Sequence, residues 1–174
     1  MIKSFSGHKA FLSNFYPAKV RIQGVEYPTL EHAFVSMKCG LQGRFSQKNV
    51  EDKEALAKFV SLTPGQVKRL GREIEIIPTW NNIRLSVMEV LLRLKFSSDN
   101  PELIKKLLDT RDENLVEGNS WGDMFWGVYN GVGSNHLGLL LMKVRDSLNN
   151  QLGRKYWEGA PTTDSGSISD GPIG

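Results

Sequence analysis

Cysteine is nearly missing from this chain: Cys39 is the single one among 174 residues. An internal disulfide is therefore excluded, and the composition fits a reducing cytoplasm. Long apolar runs are missing too; none approaches the roughly 18 residues that a membrane helix needs. The opening stretch, Met1-Ile2-Lys3-Ser4-Phe5-Ser6-Gly7, has no apolar signal-peptide core, so no export leader is expected. The three histidines, His8, His32 and His136, are scattered, and no Cys/His spacing resembles a metal site. No metal and no cofactor are expected. Basic residues are absent from 158–174, which holds Glu158, Asp164 and Asp170. That segment reads as a flexible acidic tail, and 1–157 as one domain. The formal charge of +3 therefore splits into −3 on the tail and +6 on the domain. A moderately basic domain favours anionic partners such as phosphates, nucleotides or nucleic acid. A nonspecific nucleic-acid binder needs a denser basic stripe than this.

Along the chain, Val20-Arg21-Ile22 and Val25-Glu26-Tyr27 alternate around Gln23-Gly24, the pattern of a hairpin. Thr29 can cap a helix that Gly40 closes. A polar loop is expected over 40–48, and a helix over 50–62 capped by Asn49, with Ala55, Leu56, Phe59 and Val60 inward. Thr63-Pro64 opens another helix, with Gly71 just past its end. Ile74–Ile77 reads as a short strand. A long helix then runs from Trp80 to Phe96, with Trp80, Ile83, Val87, Val90, Leu91 and Leu94 as its core face. Arg84, Met88, Leu91 and Lys95 form an adjoining stripe whose cations either border a cleft or snorkel to water. Asn100-Pro101 begins a helix with Leu103, Ile104, Leu107 and Leu108 inward. Leu115–Glu117 reads as a strand. The last helix starts near Asn135 and buries Leu137, Leu140, Leu141, Val144 and Leu148.

Two stretches carry candidate chemistry. Glu31 and Lys38 are seven residues apart on one helix face, on the order of 10 Å from each other, with Phe34 and Val35 between them. Apolar neighbours and mutual charge move titrations from their ordinary values; a plain solvated face is the alternative. The second stretch, Glu117 to Gly138, is a long loop with Trp121, Asp123 and Trp126 among glycines, suited to a base or a sugar. Its Gly131–Asn135 end can offer amide hydrogens to a phosphate. Lys68, Arg69 and Arg72 either complement a helix dipole or face a phosphate. Cys39 reads as a small buried hydrophobe.

These residues, in this order, resemble the NADAR family, also called YbiA-like proteins. The resemblance rests on Leu12-Ser13-Asn14-Phe15-Tyr16-Pro17 and Tyr27-Pro28-Thr29-Leu30-Glu31-His32-Ala33-Phe34 with Lys38. It continues through Gly71-Arg72, Trp80 with Arg84 and Met88, Lys95-Phe96, and Leu115-Val116-Glu117. Asp123 with Trp126-Gly127, Asn135-His136-Leu137-Gly138 and Leu141-Met142 with Arg145 complete it, so that it covers about residues 5–150. The chain departs from the family pattern near Ser120-Trp121-Gly122.

The resemblance implies a single compact domain that is mainly α, α+β with a few short strands. It implies a metal-independent N-glycosidase acting on a phosphorylated nucleoside or an ADP-ribosyl substrate. The first-choice substrate is ADP-ribose on guanine in nucleic acid. The alternatives are phosphoribosylated pyrimidine intermediates of riboflavin biosynthesis, or ADP-ribose binding without catalysis. Breaking a ribose–nitrogen bond needs a proton donor, an anion near the sugar cation and delivered water. Glu31 is the first choice for acid–base work. Lys38 either attacks the sugar carbon or binds phosphate, and Asp123 orients ribose hydroxyls or stabilises the cation. Substrate contacts are carried over to Asn14, Phe15, Arg72, Trp80, Arg84, Trp126, Gly127 and Asn135. Trp80 reads equally as core, and Asn14 and Asn135 equally as turn and cap residues. His32, one position off the Glu31 face, is expected to make a structural hydrogen bond.

Overall fold

The computed structural model describes residues 1–45 and 50–158. After a short 3-10 helix, Gly7–Leu12, strands β1 (Pro17–Ile22) and β2 (Val25–Thr29) form an antiparallel hairpin. Ile22 pairs with Val25, and Gln23 and Gly24 both take positive φ, 47° and 82°. That is the tight two-residue turn that matches strand twist. Alternation then buries Val20, Val25 and Tyr27 on one side.

Helix α1 (Leu30–Lys38) follows directly. The Thr29 hydroxyl accepts from the His32 amide, and the Asn14 carbonyl accepts from the Glu31 amide at 3.0 Å. Two of the helix's free N–H groups are thereby satisfied. His32 does make structural hydrogen bonds, to Thr29 Oγ1 at 2.7 Å and the Leu62 carbonyl at 3.0 Å. Gly40, at φ 67°, ends the helix as its left-handed closing residue.

The expected polar loop instead begins with a helix, α2 (Leu41–Phe45). Its Gln42 side chain is buried and bonded to the Tyr27 hydroxyl and the Ile22 carbonyl, while Phe45 packs on Phe59. A polar side chain with buried partners is a core residue, which composition alone does not reveal. Helix α3 spans Val50–Val60, with Phe59 inward and Ala55 exposed; the expected cap, Asn49, lies outside the described residues.

Helix α4 (Pro64–Glu73) opens with a capping box between Thr63 and Gln66. Gly71 lies inside this helix rather than past its end. A Cβ there would sit 2.9 Å from Val35 Cγ1 of α1, so its missing side chain lets the two helices touch. Ile74–Ile77 is not a strand; the Ile77 amide donates instead to the Lys38 carbonyl.

In α5 (Trp80–Lys95) the expected core face holds at Trp80 and Leu91, with Ile83, Val87 and Leu94 packed against the core, but not at Val90. Val90 is 55% exposed, while Met88 and Lys95 of the adjoining stripe are fully buried. Helix α6 (Pro101–Leu108) buries Leu103 and Leu107. Leu115 makes one bridge to Ile2, and the expected strand is displaced to β3 (Gly118–Asn119), parallel to β4 (Val128–Tyr129). Helix α7 (His136–Glu158) packs on α5 and α6, burying Leu137, Leu141 and Val144 with Leu140 and Leu148 half-buried. Residues 159–174, most of the expected tail, lie outside the described residues. Among the described residues no helix is long and apolar enough to cross a membrane. Among the described residues the fold is mainly helical with two small sheets, as expected.

Gly127 is buried against backbone: a Cβ there would lie 2.2 Å from the Glu117 carbonyl oxygen. Gly127→Ala is expected to lose roughly 1–3 kcal/mol of stability or more through overpacking, read from urea unfolding midpoints. An unchanged midpoint would show that this backbone contact is not structural.

Candidate active site

One face of α1, the second half of α4, the segment Ser13–Phe15 and the loop 117–126 close around a cavity of about 220 Å³. Glu31, Lys38, Asp123, Asn14, Phe15, Arg72 and Trp126 all line it, as do Lys68, Glu117, Trp121, Phe34 and Met88. Glu31 sits at its floor and is 8% exposed. Burial raises its carboxyl to about 7; Lys68, Lys38 and Arg72 oppose that rise, and Asp123 adds to it. Desolvation therefore outweighs three cations. Lys38 Nζ donates to the Gly71 carbonyl at 2.9 Å, which ties the end of α1 to α4. Lys68 Nζ lies 5.7 Å from the Phe15 ring and 5.5 Å from the exposed Trp121 ring. A cation between two aromatic faces is held without being neutralised.

The loop is rigid because its own polar groups are paired. Asp123 Oδ1 accepts from the amides of Phe125 and Trp126 at 3.1 and 2.9 Å. Asn119 accepts from the Asp123 amide and donates to its carbonyl. Asp123 thus carries both a structural turn and a place on the cavity wall.

Four residues expected at the substrate lie elsewhere. Trp80 is 4% exposed and packs behind Phe34, with ring centroids 4.9 Å apart, so it is core. The Arg84 guanidinium stacks on Phe125 at 3.6 Å. Gly127 is buried against Glu117, as above. Asn135 uses its side chain inside the loop, accepting from the Glu117 amide at 3.0 Å and donating to the Leu115 carbonyl at 2.9 Å. At Gly131–Asn135, where a phosphate was expected, the Val132 amide donates to the Tyr129 carbonyl. The amides of Ser134, Asn135, His136 and Leu137 all donate to carbonyls of Met124–Gly127.

Sequence reasoning passed over Glu117 as a site residue, treating it as strand. Burial and Asp123 raise its carboxyl to about 7, against Lys68 and Lys95. Lys95, expected to border a cleft or snorkel, does neither. It is wholly buried, donates to the Ser13 carbonyl at 2.6 Å, and is lowered by burial to about 7. Glu117 offered one signal, a carboxylate opening the tryptophan- and glycine-rich loop. Cys39 is half-buried against the core, and burial raises its thiol.

The geometry can be set beside known proteins. A family model described as the NADAR domain matches residues 3–149. The chain belongs to the NADAR family. It is 34% identical over 146 residues to an N-glycosidase of Nostoc punctiforme, covering 80% of this chain and 86% of that one. A riboflavin biosynthesis protein of Vibrio vulnificus is 36% identical over 141 residues. That alignment covers 79% of this chain and 35% of the Vibrio protein, so the chain spans about a third of that relative. The NMR structure of the Escherichia coli protein YbiA superposes with a TM-score of 0.66 at 28% identity, covering 94% of this chain and 89% of that one. The NADAR fold is thus shared along nearly the whole length.

A carboxyl held near 7 rather than 4.5 costs the fold about 3 kcal/mol once it ionises. Its folded pKa is raised, so the cost is absent below about 4.5, grows through that window and is complete above about 7. Glu31→Gln is therefore expected to raise the melting temperature at pH 8 and leave it nearly unchanged at pH 4. Equal shifts at both pH values would show that Glu31 is not held protonated by burial.

Proposed function

We propose that this N-glycosyl hydrolase cleaves the bond between a 5-phosphorylated ribose and an amino-substituted pyrimidine, the phosphoribosylated intermediates of riboflavin biosynthesis. One observation carries the reading: a buried carboxyl titrating near neutrality shares a small cavity with Lys38, Lys68 and Arg72. Cations at the end of a pocket suit a phosphate monoester. The carboxyl suits proton transfer at neutral pH. A relative named for riboflavin biosynthesis supports the same substrate class.

In this reading the phosphate sits between Lys38, Lys68 and Arg72. Lys38 spends one donor on Gly71 and has two left for phosphate oxygens. Glu31, as the carboxylate, takes the proton of the water that attacks the ribose carbon. Asp123, whose Oδ1 is occupied by backbone amides, turns its other oxygen to the ribose hydroxyls or to the positive charge on the sugar. Phe34 and Trp126 pack edge-on at 5.5 Å and keep that wall apolar, which strengthens each charge inside.

ADP-ribosylated guanine in nucleic acid is the second reading. It is favoured by a wider, more open cavity beyond Trp121, about 740 Å³, which has room for a larger leaving group. Incubating the protein with both substrate types and assaying free base, ribose 5-phosphate and ADP-ribose separates the readings. Ribose 5-phosphate release is the expected result. ADP-ribose release alone overturns it in favour of guanine, and binding without release of either leaves a binding module.

Glu31→Gln is expected to keep substrate affinity within a few-fold and lose kcat by at least about a hundredfold. Wild-type turnover by the purified variant would end the assignment. Borohydride added during turnover should leave Lys38 unmodified by mass analysis. A reduced ribosyl adduct on Lys38 would replace phosphate binding with covalent attack.

A further inference from the structure

Three carboxyls line the cavity, Glu31, Asp123 and Glu117, and the reading above leaves Glu117 unused. Glu117 has its backbone clamped on both sides. Its amide donates to Asn135 Oδ1, and its carbonyl accepts from the Val128 amide at 2.8 Å. Its side chain is treated differently, because Oε2 is buried with no hydrogen-bond partner while lining the cavity. A buried orphan oxygen is costly, and such atoms cluster where a ligand supplies the partner. Asn14 Oδ1, on the same wall, is also unpartnered, since the amide Nδ2 faces the Met88 thioether at 3.8 Å.

Burial raises both carboxyls, Lys68, Lys38 and Arg72 opposing it at Glu31 and Lys68 and Lys95 at Glu117. Glu31, Lys38 and Arg72 line this cavity, whereas Glu117 lines both it and the second one, so a substrate whose phosphate meets Lys38 and Arg72 extends its base toward Glu117. Glu117 and Trp121 also line the second, open cavity, with Lys3, Phe5 and Asn130. That side gives Glu117 access to solvent protons without passing the substrate.

We propose that Glu117 is a second catalytic acid, which hands the proton on Oε2 to the departing base while Glu31 serves the attacking water. The proposal rests on the N-glycosidase reading above. As the ribose C1′–N bond breaks, its electron pair leaves with the base, and the Oε2 proton neutralises that nitrogen. Water adds to C1′ and gives its proton to Glu31. The products are a free base and a ribose 5-phosphate; Glu117 regains a proton from solvent and Glu31 releases one. The groups facing Glu117 suit this work. Asp123 from its own loop and burial favour the protonated form, Lys68 from α4 and buried Lys95 from α5 oppose it, and the balance lies near neutrality.

The test uses two substrates that share ribose 5-phosphate: the aminopyrimidine riboside and a 4-nitrophenyl riboside, whose leaving group departs without a proton. Glu117→Gln should lose about a hundredfold or more in kcat on the first and stay within about fivefold of wild type on the second. Glu31→Gln should lose activity on both. The wild-type rate on the aminopyrimidine should fall as pH rises above about 7, and Glu117→Gln should lack that fall. Equal losses on both substrates, or an unchanged alkaline limb, would overturn the role. Should the Gln variant fail to fold by circular dichroism, Glu117→Asp decides instead. It must keep the alkaline limb at reduced rate, and loss of the limb would count against Glu117. A wild-type protein that cleaves the nitrophenyl riboside but not the aminopyrimidine overturns the substrate assignment while leaving Glu117 measurable on ADP-ribosylated guanine. Cleavage of none of the three overturns both.

Discussion

The contact between α1 and α4 at Gly71 governs the rest of the site. Val35 lies where a Cβ on Gly71 would be, so only glycine lets these helix backbones come this close. The approach brings the Gly71 carbonyl to Lys38 and swings Lys68 and Arg72 of the same helix over Glu31. A larger residue there would widen the gap, admit water between the charges and weaken each interaction through the higher local dielectric. Helix packing and pocket electrostatics are in this sense one constraint.

The cavity is an expensive place to put charge. Glu31, Glu117 and Lys95 are all moved toward neutrality by burial, in the direction that favours the uncharged form of each. Such groups cost stability that the surrounding core has to offset. Leu30, Leu12, Leu91, Leu92 and Leu141 are fully or almost fully buried, each worth roughly 1.5–3 kcal/mol of transfer free energy. Lys95 shows why the cost is tolerated: its ammonium holds the Ser13 carbonyl and so fixes Asn14 and Phe15 on the cavity wall. A shorter or apolar residue would leave that carbonyl unpaired and the segment free to move.

The loop from Glu117 to Asn135 works by a different means. It has little regular structure, yet Asn119, Asp123 and Asn135 satisfy its backbone from within. Gly127 and Gly133 allow strands of the loop to touch, each at a point where a Cβ would meet backbone at 2.2 Å. Preorganised in this way, the loop presents two carboxylates and two tryptophans without ordering them anew for each substrate.

By itself the sequence determined the local features: the two-residue turn at Gln23-Gly24, the caps at Thr29 and Thr63, the closing Gly40, and the α1 face that carries Glu31 beside Lys38. Each follows from a few neighbouring residues, because caps, turns and helical spacing act over distances of one or two turns. The ordered motifs also pointed to the NADAR family, and seven of the eleven residues singled out for the site do line one cavity. Tertiary structure alone decided that Met88 and Lys95 join Trp80 and Leu91 in the buried part of α5, that Gly71 is a helix contact, and that the Asn135 side chain is spent on Glu117 and Leu115. Those outcomes depend on partners distant in sequence, Lys95 on Ser13 across 82 positions and Asn135 on Glu117 across 18. Periodicity records that a side chain has a face; what meets that face is settled only when the chain closes on itself and every buried polar group must find, or be denied, a partner.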